Sequence, residues 1–443
     1  MPHSVTHEDL DRARDQLAVV EARRGARRLR RLRVLWLLAG PGVLVFLGEN
    51  DAPSMLSYAA TGAQYGIGFF LPFVALTFLM AFVVQEMAGR IGAVSGAGHA
   101  ALIFGRFGRF WGVFAMLDLI AGNLLTMVAE FIGIRAGLGF FGVPPAVSVA
   151  ATLAVIVASA CTHRYWTWER IALGLAVCNA VFVPVALLAR PDWAAVGRAF
   201  ATWSPLPGGL TPDAVTLLVA NIGATVTPWM LFFQQGAVVD KGLRSGDLTA
   251  ARIDTALGAV LAAAFGIAGI IATAPLHAHG ISAANLRTAQ FAGALAPHIG
   301  HVGAALFALG IFEAGLVAAV TISTSSAYAF GEVMRRVHSL NAPVGEAWPF
   351  YAVLIGSAVL AGGVVLIPGA PLESIVILVN VVATLAMPPA LLFLLLLAND
   401  PMIMGRYRNG WALNLAGITI TVLLIGSGLT YGVSVLFPGL FAH

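Results

Sequence analysis

The sequence predicts an all-α, polytopic membrane protein with about eleven transmembrane helices. Three observations support this fold class. Hydrophobic residues make up 59% of the 443-residue chain and charged residues only 10%, whereas soluble domains carry about 25% charged residues. The mean hydropathy is +0.88. Apolar stretches long enough to cross a hydrocarbon core of about 30 Å recur along the chain, and basic residues cluster between alternate stretches.

The apolar stretches divide the chain into a short leader and one membrane domain. Residues 1–30 form a basic, polar N-terminal segment, and residues 31–437 form the membrane domain. The first stretch follows "EARRGARRLRRLR" and has no cleavage pattern, so we expect a retained helix and not a signal peptide. The predicted spans are 34–66, 68–88, 111–138, 145–162, 169–189, 212–239, 254–276, 301–330, 348–368, 372–397 and 411–436.

The distribution of basic residues predicts the orientation. If the N-terminus is cytoplasmic, 21 of the 25 lysines and arginines fall before the first span or in segments predicted to be cytoplasmic. This agrees with the positive-inside rule and places the C-terminus outside. Because topology already accounts for the basic N-terminal segment, we do not expect a nucleic-acid partner.

Polar residues and a proline interrupt two of the spans. The first span contains "GENDAPSM" at residues 48–55, and the sixth contains "GATVTPWM" at residues 223–230. Proline alone would only kink a packed helix, but the polar residues beside Pro53 and Pro228 favour unwound segments. Breaks five spans apart are typical of transporters built from two inverted repeats, whose binding site lies at the midplane. We therefore predict repeats at about residues 34–189 and 212–397 and an extra helix at 411–436.

The first break places carboxylates at bilayer depth, where an uncompensated charge costs at least about 2.5 kcal/mol. No basic residue lies near the middle of a predicted span, so a mobile cation is the expected partner of Asp51. Unwinding at the second break would free the carbonyl group of Ala224 beside the hydroxyl group of Thr227. Such oxygen ligands favour Mg²⁺, Mn²⁺ or Ca²⁺. The candidate ligands at the breaks are Asp51, Thr227, Ala224 and Gly48, with Glu49 and Asn50 beside them.

Several stretches, in consistent order, resemble the NRAMP transition-metal transporters. "GPGVLVFLGENDAPSMLSYAATGAQYG" is similar to the family's first helix, "QEMAGRIGAVSG" to the exit of its second and "AEFIG" to its third. "NIGATVTPWM", "ARIDTALGAV" and "LVNVVATLAMPPALL" are similar to its sixth, seventh and tenth helices, and "MGRYRNG" to the exit of the tenth. The resemblance runs over residues 36–410 and implies a LeuT-type fold of five plus five helices, with helices one and six broken.

Departures from the family pattern suggest which cation binds. Asp51 stands at the family's metal-binding aspartate, but Ser54 replaces an asparagine, Thr227 a methionine and Trp229 a histidine, while Asn380 stands where glutamine is usual. Loss of the thioether removes a preference for soft transition metals. Shorter side chains leave room for the water that Mg²⁺ retains. The chain thus looks like the NRAMP-related magnesium transporters, and Ser54 and Asn380 join the candidate ligands.

The same resemblance bears on proton coupling. Proton-coupled members use acids on the third helix, the sixth-helix histidine and arginines on the ninth helix. Here Glu130 is present, but Met127 replaces an aspartate and the ninth span has no arginine. We therefore expect uncoupled uptake of Mg²⁺ and Mn²⁺, with Glu130 and Trp229 beside the site. Glu313, in the eighth span, either lines the aqueous vestibule or bonds between helices as a neutral acid.

Two other functions stay open at this stage. One is proton-coupled transport of Mn²⁺ or Fe²⁺, and the other is transport of a small cationic organic substrate on the same fold. No nucleophile and base constellation or cofactor fingerprint occurs, so we expect neither an enzyme nor a cofactor. The expected partners are divalent metal ions and the lipid of a prokaryotic plasma membrane, with no obligate protein partner.

Overall fold

The computed structural model describes residues 39–283, 286–370 and 372–441. The regular secondary structure within these ranges is entirely helical, in agreement with the predicted fold class. The basic segment predicted at residues 1–30 lies outside the described residues. The α-helices are α1 (Pro41–Glu49), α2 (Ala52–Tyr65), α3 (Phe70–Ser95), α4 (His99–Phe107), α5 (Arg109–Gly139), α6 (Pro145–Ala160), α7 (Tyr165–Ala176), α8 (Phe182–Leu188), α9 (Trp193–Thr202), α10 (Pro212–Gly223), α11 (Pro228–Asp240), α12 (Leu248–Ala278), α13 (Phe291–Met334), α14 (Trp348–Val365), α15 (Leu372–Asn399), α16 (Pro401–Met404) and α17 (Trp411–Leu436).

Nine helical segments in the described ranges are long and apolar enough to cross a membrane. Two predicted spans fall short of that length. The fourth corresponds to α6, which has 16 residues, and the first is divided between α1 and α2, with 9 and 14 residues. The chain is a multi-pass membrane protein, while the count of about eleven spans and the division into two repeats stay predictions.

One predicted span departs from regular helical geometry, and one long helix is interrupted just before the predicted span that it contains. The fifth predicted span is α7 followed by a 3₁₀ segment, Val177–Val181, and then α8. Helix α13 extends over 44 residues and is interrupted at Gly300, whose φ of 77° is left-handed. A glycine adopts this φ without the Cβ clash that other residues suffer, so the chain can bend there.

The helices that carry the two interrupted spans pack in the interior. Helix α12 lies against α1, α2 and α3, helix α5 lies against α13, and α10 lies against α15. Small residues allow these close approaches. A Cβ atom on Gly133 of α5 would lie 2.2 Å from the Cβ atom of Ala52, and one on Gly223 of α10 would lie 1.8 Å from the carbonyl oxygen of Asn380. Glycine lets such backbones come together, as in other helical membrane proteins.

Candidate functional site

The first interrupted span leaves helical geometry at Asn50 and Asp51. Helix α1 ends at Glu49, and α2 begins at Ala52 with Pro53 in its first turn. Asp51 has an extended backbone (φ −74°, ψ 173°), and its Oδ1 atom accepts a hydrogen bond of 2.8 Å from the backbone N–H of Ser54. Asp51 is therefore the N-cap of α2, because its side chain satisfies an N–H group that the first turn leaves free. The proline starts a helix here and does not kink a continuous one.

The second interrupted span has the same arrangement. Helix α10 ends at Gly223, residues 224–227 leave the helix, and α11 begins at Pro228. Thr227 precedes the proline with an extended backbone (φ −118°, ψ 152°), as expected for a residue before proline. Pro228 again occupies the first turn, where its missing N–H group breaks no helical hydrogen bond.

The two breaks are in direct contact. The hydroxyl group of Thr227 donates a hydrogen bond of 2.8 Å to Oε2 of Glu49. A Cβ atom on Gly48 would lie 3.3 Å from the ring of Trp229 and 3.0 Å from the hydroxyl oxygen of Thr321. Glu49 is fully buried and Thr227 is 3% exposed. Residues that are 178 positions apart in the chain thus form one buried polar centre.

Several oxygen atoms in this centre are buried and unpaired. Oε1 of Glu49, Oδ1 of Asn50, Oγ of Ser54 and Oε1 of Glu130 have no hydrogen-bond partner among the described residues. Oε2 of Glu130 accepts a bond of 3.1 Å from the backbone N–H of Ala52, which places this carboxylate against the start of α2. Buried polar atoms are normally paired, so a cluster of unpaired oxygens points to a cation or to water.

One expected ligand accepts a hydrogen bond from the protein and keeps a second lone pair for an ion. The carbonyl oxygen of Ala224, predicted to be free for an ion, accepts a hydrogen bond of 2.9 Å from the hydroxyl group of Tyr58. The sequence reasoning overlooked Tyr58. The signal was its spacing, because residues four positions apart on a helix share a face, and Tyr58 lies four positions after the candidate ligand Ser54.

Two amide side chains also have protein partners. Nδ2 of Asn380 donates a bond of 3.0 Å to the hydroxyl oxygen of Ser57, so Asn380 contacts α2 just after the break. Nδ2 of Asn50 donates a bond of 2.8 Å to the carbonyl oxygen of Ala262 on α12. Both bonds use the amide nitrogen, which leaves the amide oxygen as the group that a cation can bind.

Glu313 lies on α13. It is 5% exposed, and both of its carboxylate oxygens lack a hydrogen-bond partner among the described residues. In the described part of the chain, Glu313 therefore forms no hydrogen bond to another helix, which is the contact expected of a neutral acid there. Its role, in the vestibule or between helices, stays a prediction.

A cleft reaches the centre from one side. It runs between α5, α11 and α15, and Thr227, Trp229 and the half-buried Asp118 are among the residues that line it. Asn123 and Thr126 line it as well. Thr227 therefore borders both the centre and the cleft.

Bacterial proteins similar along nearly the whole chain are known. The protein named divalent metal cation transporter MntH from Burkholderia ambifaria is 26% identical over 433 residues, which cover 94% of this chain and 93% of that protein. The protein of the same name from Deinococcus radiodurans is 26% identical over 417 residues and 91% of each chain.

Solved structures share the arrangement of helices. A manganese transporter from Eremococcus coleocola, crystallised with an aromatic bis-isothiourea compound, has a TM-score of 0.69 and 19% identity over 90% of this chain and 86% of that chain. A Na⁺-coupled sialic acid symporter has a TM-score of 0.55 and 14% identity over 90% and 89% of the two chains. These likenesses confirm the predicted LeuT-type fold. The family profile described as natural resistance-associated macrophage protein-like matches residues 42–434, a region that contains both breaks and the centre between them, so the chain belongs to the Nramp family.

Proposed function

We propose that the protein is a divalent metal cation transporter that carries Mg²⁺ and Mn²⁺ through the centre between the two breaks. The cluster of buried, unpaired oxygen atoms on Glu49, Asn50, Ser54 and Glu130 carries this proposal. A divalent cation would supply the positive charge that these atoms lack in the described protein. The names of the bacterial relatives, divalent metal cation transporters, support the same class of substrate.

The ligand types favour hard cations. Asp51, Ser54 and Thr227 offer carboxylate and hydroxyl oxygens, and no sulfur atom belongs to this set. Met55 and Met230 are fully buried in the main hydrophobic core. Thioether ligands would favour softer metals, whereas oxygen ligands suit Mg²⁺ and Mn²⁺. The cleft beside Thr227 provides space next to a ligand for the water that Mg²⁺ retains.

Transport is proposed to be uncoupled from protons. Glu130 contacts the backbone of Ala52, and helix α14 contains no arginine or other charged residue that could extend a proton route. The membrane potential then drives uptake, which for a divalent ion is worth about 4.6 kcal/mol at 100 mV. The proposed location is a prokaryotic inner membrane, with the N-terminus cytoplasmic and the C-terminus outside, as the basic residues indicate.

Flux measurements in proteoliposomes test the proposal. Vesicles would contain a Mg²⁺-sensitive dye and a pH-sensitive dye, and a potassium gradient with valinomycin would set an inside-negative potential. We expect Mg²⁺ entry at millimolar concentration without acidification. Empty vesicles and vesicles at zero potential are the controls.

Two outcomes would overturn parts of the proposal. No Mg²⁺ entry beside clear Mn²⁺ entry would refute the assignment of Mg²⁺ as a substrate. Proton entry that accompanies the metal would refute uncoupled transport and favour the proton-coupled alternative, for which the buried Glu130 is the observation in favour.

A further inference from the structure

The N-terminal end of α1 is held by one buried carboxylate on another helix. Oδ1 of Asp254, on α12, accepts hydrogen bonds of 2.7 Å from the N–H of Gly40 and 3.1 Å from the N–H of Val43. Oδ2 accepts a bond of 2.7 Å from the N–H of Gly42. Asp254 is only 5% exposed. The free N–H groups and partial positive charge of a helix start thus meet a full negative charge supplied by a distant segment.

A buried ion pair lies beside this carboxylate. Nζ of Lys241 is 2.8 Å from Oε2 of Glu169, and the two residues are 5% and 1% exposed. The position of a Cβ atom on Gly40 would be 2.9 Å from Nζ of Lys241 and 3.0 Å from Oδ2 of Asp254, so both charged groups flank Gly40. The sign of the charge therefore alternates from Glu169 to Lys241, from Lys241 to Asp254, and from Asp254 to the partly positive start of α1.

Helix α1 is attached differently at its other end. There, Nδ2 of Asn179 donates a hydrogen bond of 3.1 Å to the carbonyl oxygen of Leu47. Nδ2 of Asn50 donates one to the carbonyl oxygen of Ala262. The hydroxyl group of Thr227 also donates to the carboxylate of Glu49, the last residue of α1. Each of these contacts is a single hydrogen bond, whereas Asp254 accepts three at the other end. The break at Asn50 and Asp51 separates α1 from α2, so the nine residues of α1 do not form one continuous helix with α2.

We propose that Asp254 is a latch that holds α1 closed over the centre between the two breaks. The neighbouring charges of Lys241 and Glu169 keep Asp254 in place. This inference rests on the proposed function. Release of the N–H groups of Gly40, Gly42 and Val43 would let α1 swing away and open a route from Asp51 to the side that the sequence predicts to be cytoplasmic. Asp254 is a positioning residue here, because it acts on the ion only through the place of α1.

The accessibility of a buried residue on α1 tests the latch. Val45 is fully buried. A cysteine reporter introduced as Val45→Cys therefore reacts with a hydrophilic maleimide only when α1 moves away from the helices packed against it. The reporter is placed in a background with Cys161→Ser and Cys178→Ser, since both native thiols are exposed. Labelling rates are measured on the purified full chain in detergent. We expect Asp254→Asn to raise the rate by about tenfold or more, because a charged acceptor becomes a neutral one.

Two further variants sharpen the result. Lys241→Gln should raise the labelling rate in the same direction, since it leaves Asp254 without its neighbouring positive charge, and it keeps the test decisive if Asp254→Asn does not fold. Glu332→Gln is the matched control. Glu332 is also a buried carboxylate that caps a helix start, through a bond of 3.0 Å from the N–H of Ala101, but it acts on α4.

The outcomes separate the latch from the proposed function. Unchanged labelling in both Asp254→Asn and Lys241→Gln overturns the latch, and so does an equal rise in Glu332→Gln, which would mean general loosening. Metal flux is measured separately on the unaltered chain in proteoliposomes. Absent flux there refutes the proposed transport, whereas the labelling rates still report whether Asp254 holds α1.

Discussion

Asp51 caps a helix and is a proposed ligand of the cation, and one pair of substitutions can separate these two roles. Its carboxylate caps α2 through the bond to the N–H of Ser54, and we propose that it also binds the transported cation. Asparagine caps a helix about as well as aspartate does, whereas alanine does not. Asp51→Asn should therefore remove the charge and keep the cap, while Asp51→Ala should remove both.

The expected magnitudes differ clearly. Loss of the cap in Asp51→Ala should lower stability by about 1 kcal/mol, and Asp51→Asn should change it by a few tenths at most. A divalent ion about 4 Å from a carboxylate gains about 8 kcal/mol at an effective dielectric constant of about 20. Desolvation offsets much of this gain. If only about a quarter remains, its loss in Asp51→Asn weakens metal binding about 30-fold.

Thermal unfolding in detergent and calorimetric titration with Mn²⁺ give the two quantities. Asp51→Asn should unfold near the temperature of the unaltered protein and bind metal at least about 30-fold more weakly. Unchanged metal affinity in Asp51→Asn would refute the role of Asp51 as a ligand. Equal destabilisation by the two substitutions would refute the separation of cap from charge.

Three other predictions concern the surroundings of this residue. Thr227→Met places a thioether at the second break, so competition of Mn²⁺ and Cd²⁺ with Mg²⁺ flux should increase; an unchanged competition profile would contradict the argument from ligand softness. Tyr58→Phe removes the donor to the Ala224 carbonyl, and thermal unfolding should show a loss of about 1 kcal/mol, while titration should show metal affinity no weaker than before. Gly223→Ala should destabilise the protein by about 1–3 kcal/mol in thermal unfolding, because the added Cβ atom has no room, whereas Gly246→Ala, where nothing lies within 4 Å, should be nearly neutral.

The sequence was sufficient to predict the fold class and the place of both breaks, because these depend on local properties. Hydropathy over about 20 residues marks a span, and polar residues beside Pro53 and Pro228 mark the points where helices end and begin. Each proline lies in the first turn of a helix because the N–H group that proline lacks has no partner within the helix at that position. Family resemblance then supplied the order of the helices.

The pairing of side chains across the centre was not predictable in the same way. The bond from Thr227 to Glu49 and the bond from Tyr58 to Ala224 join residues 178 and 166 positions apart. Each bond depends on how two helices approach one another. The residue pattern within a single helix does not determine that approach. The prediction of a free Ala224 carbonyl considered only the helix that ends there, whereas the hydroxyl group of Tyr58 on α2 donates to one of the two lone pairs of this oxygen.

The start of α11 has a consequence for the balance of charge at the two breaks. Thr227 precedes this helix, yet its side chain forms no cap, and its hydroxyl group donates to Glu49. The amino end of α11 therefore lacks the side-chain acceptor that Asp51 provides for α2. The start of a helix carries partial positive charge, which disfavours a nearby cation unless a negative group offsets it. At α2 that group is the capping carboxylate of Asp51, and at α11 it is the carboxylate of Glu49, which Thr227 holds beside the helix start.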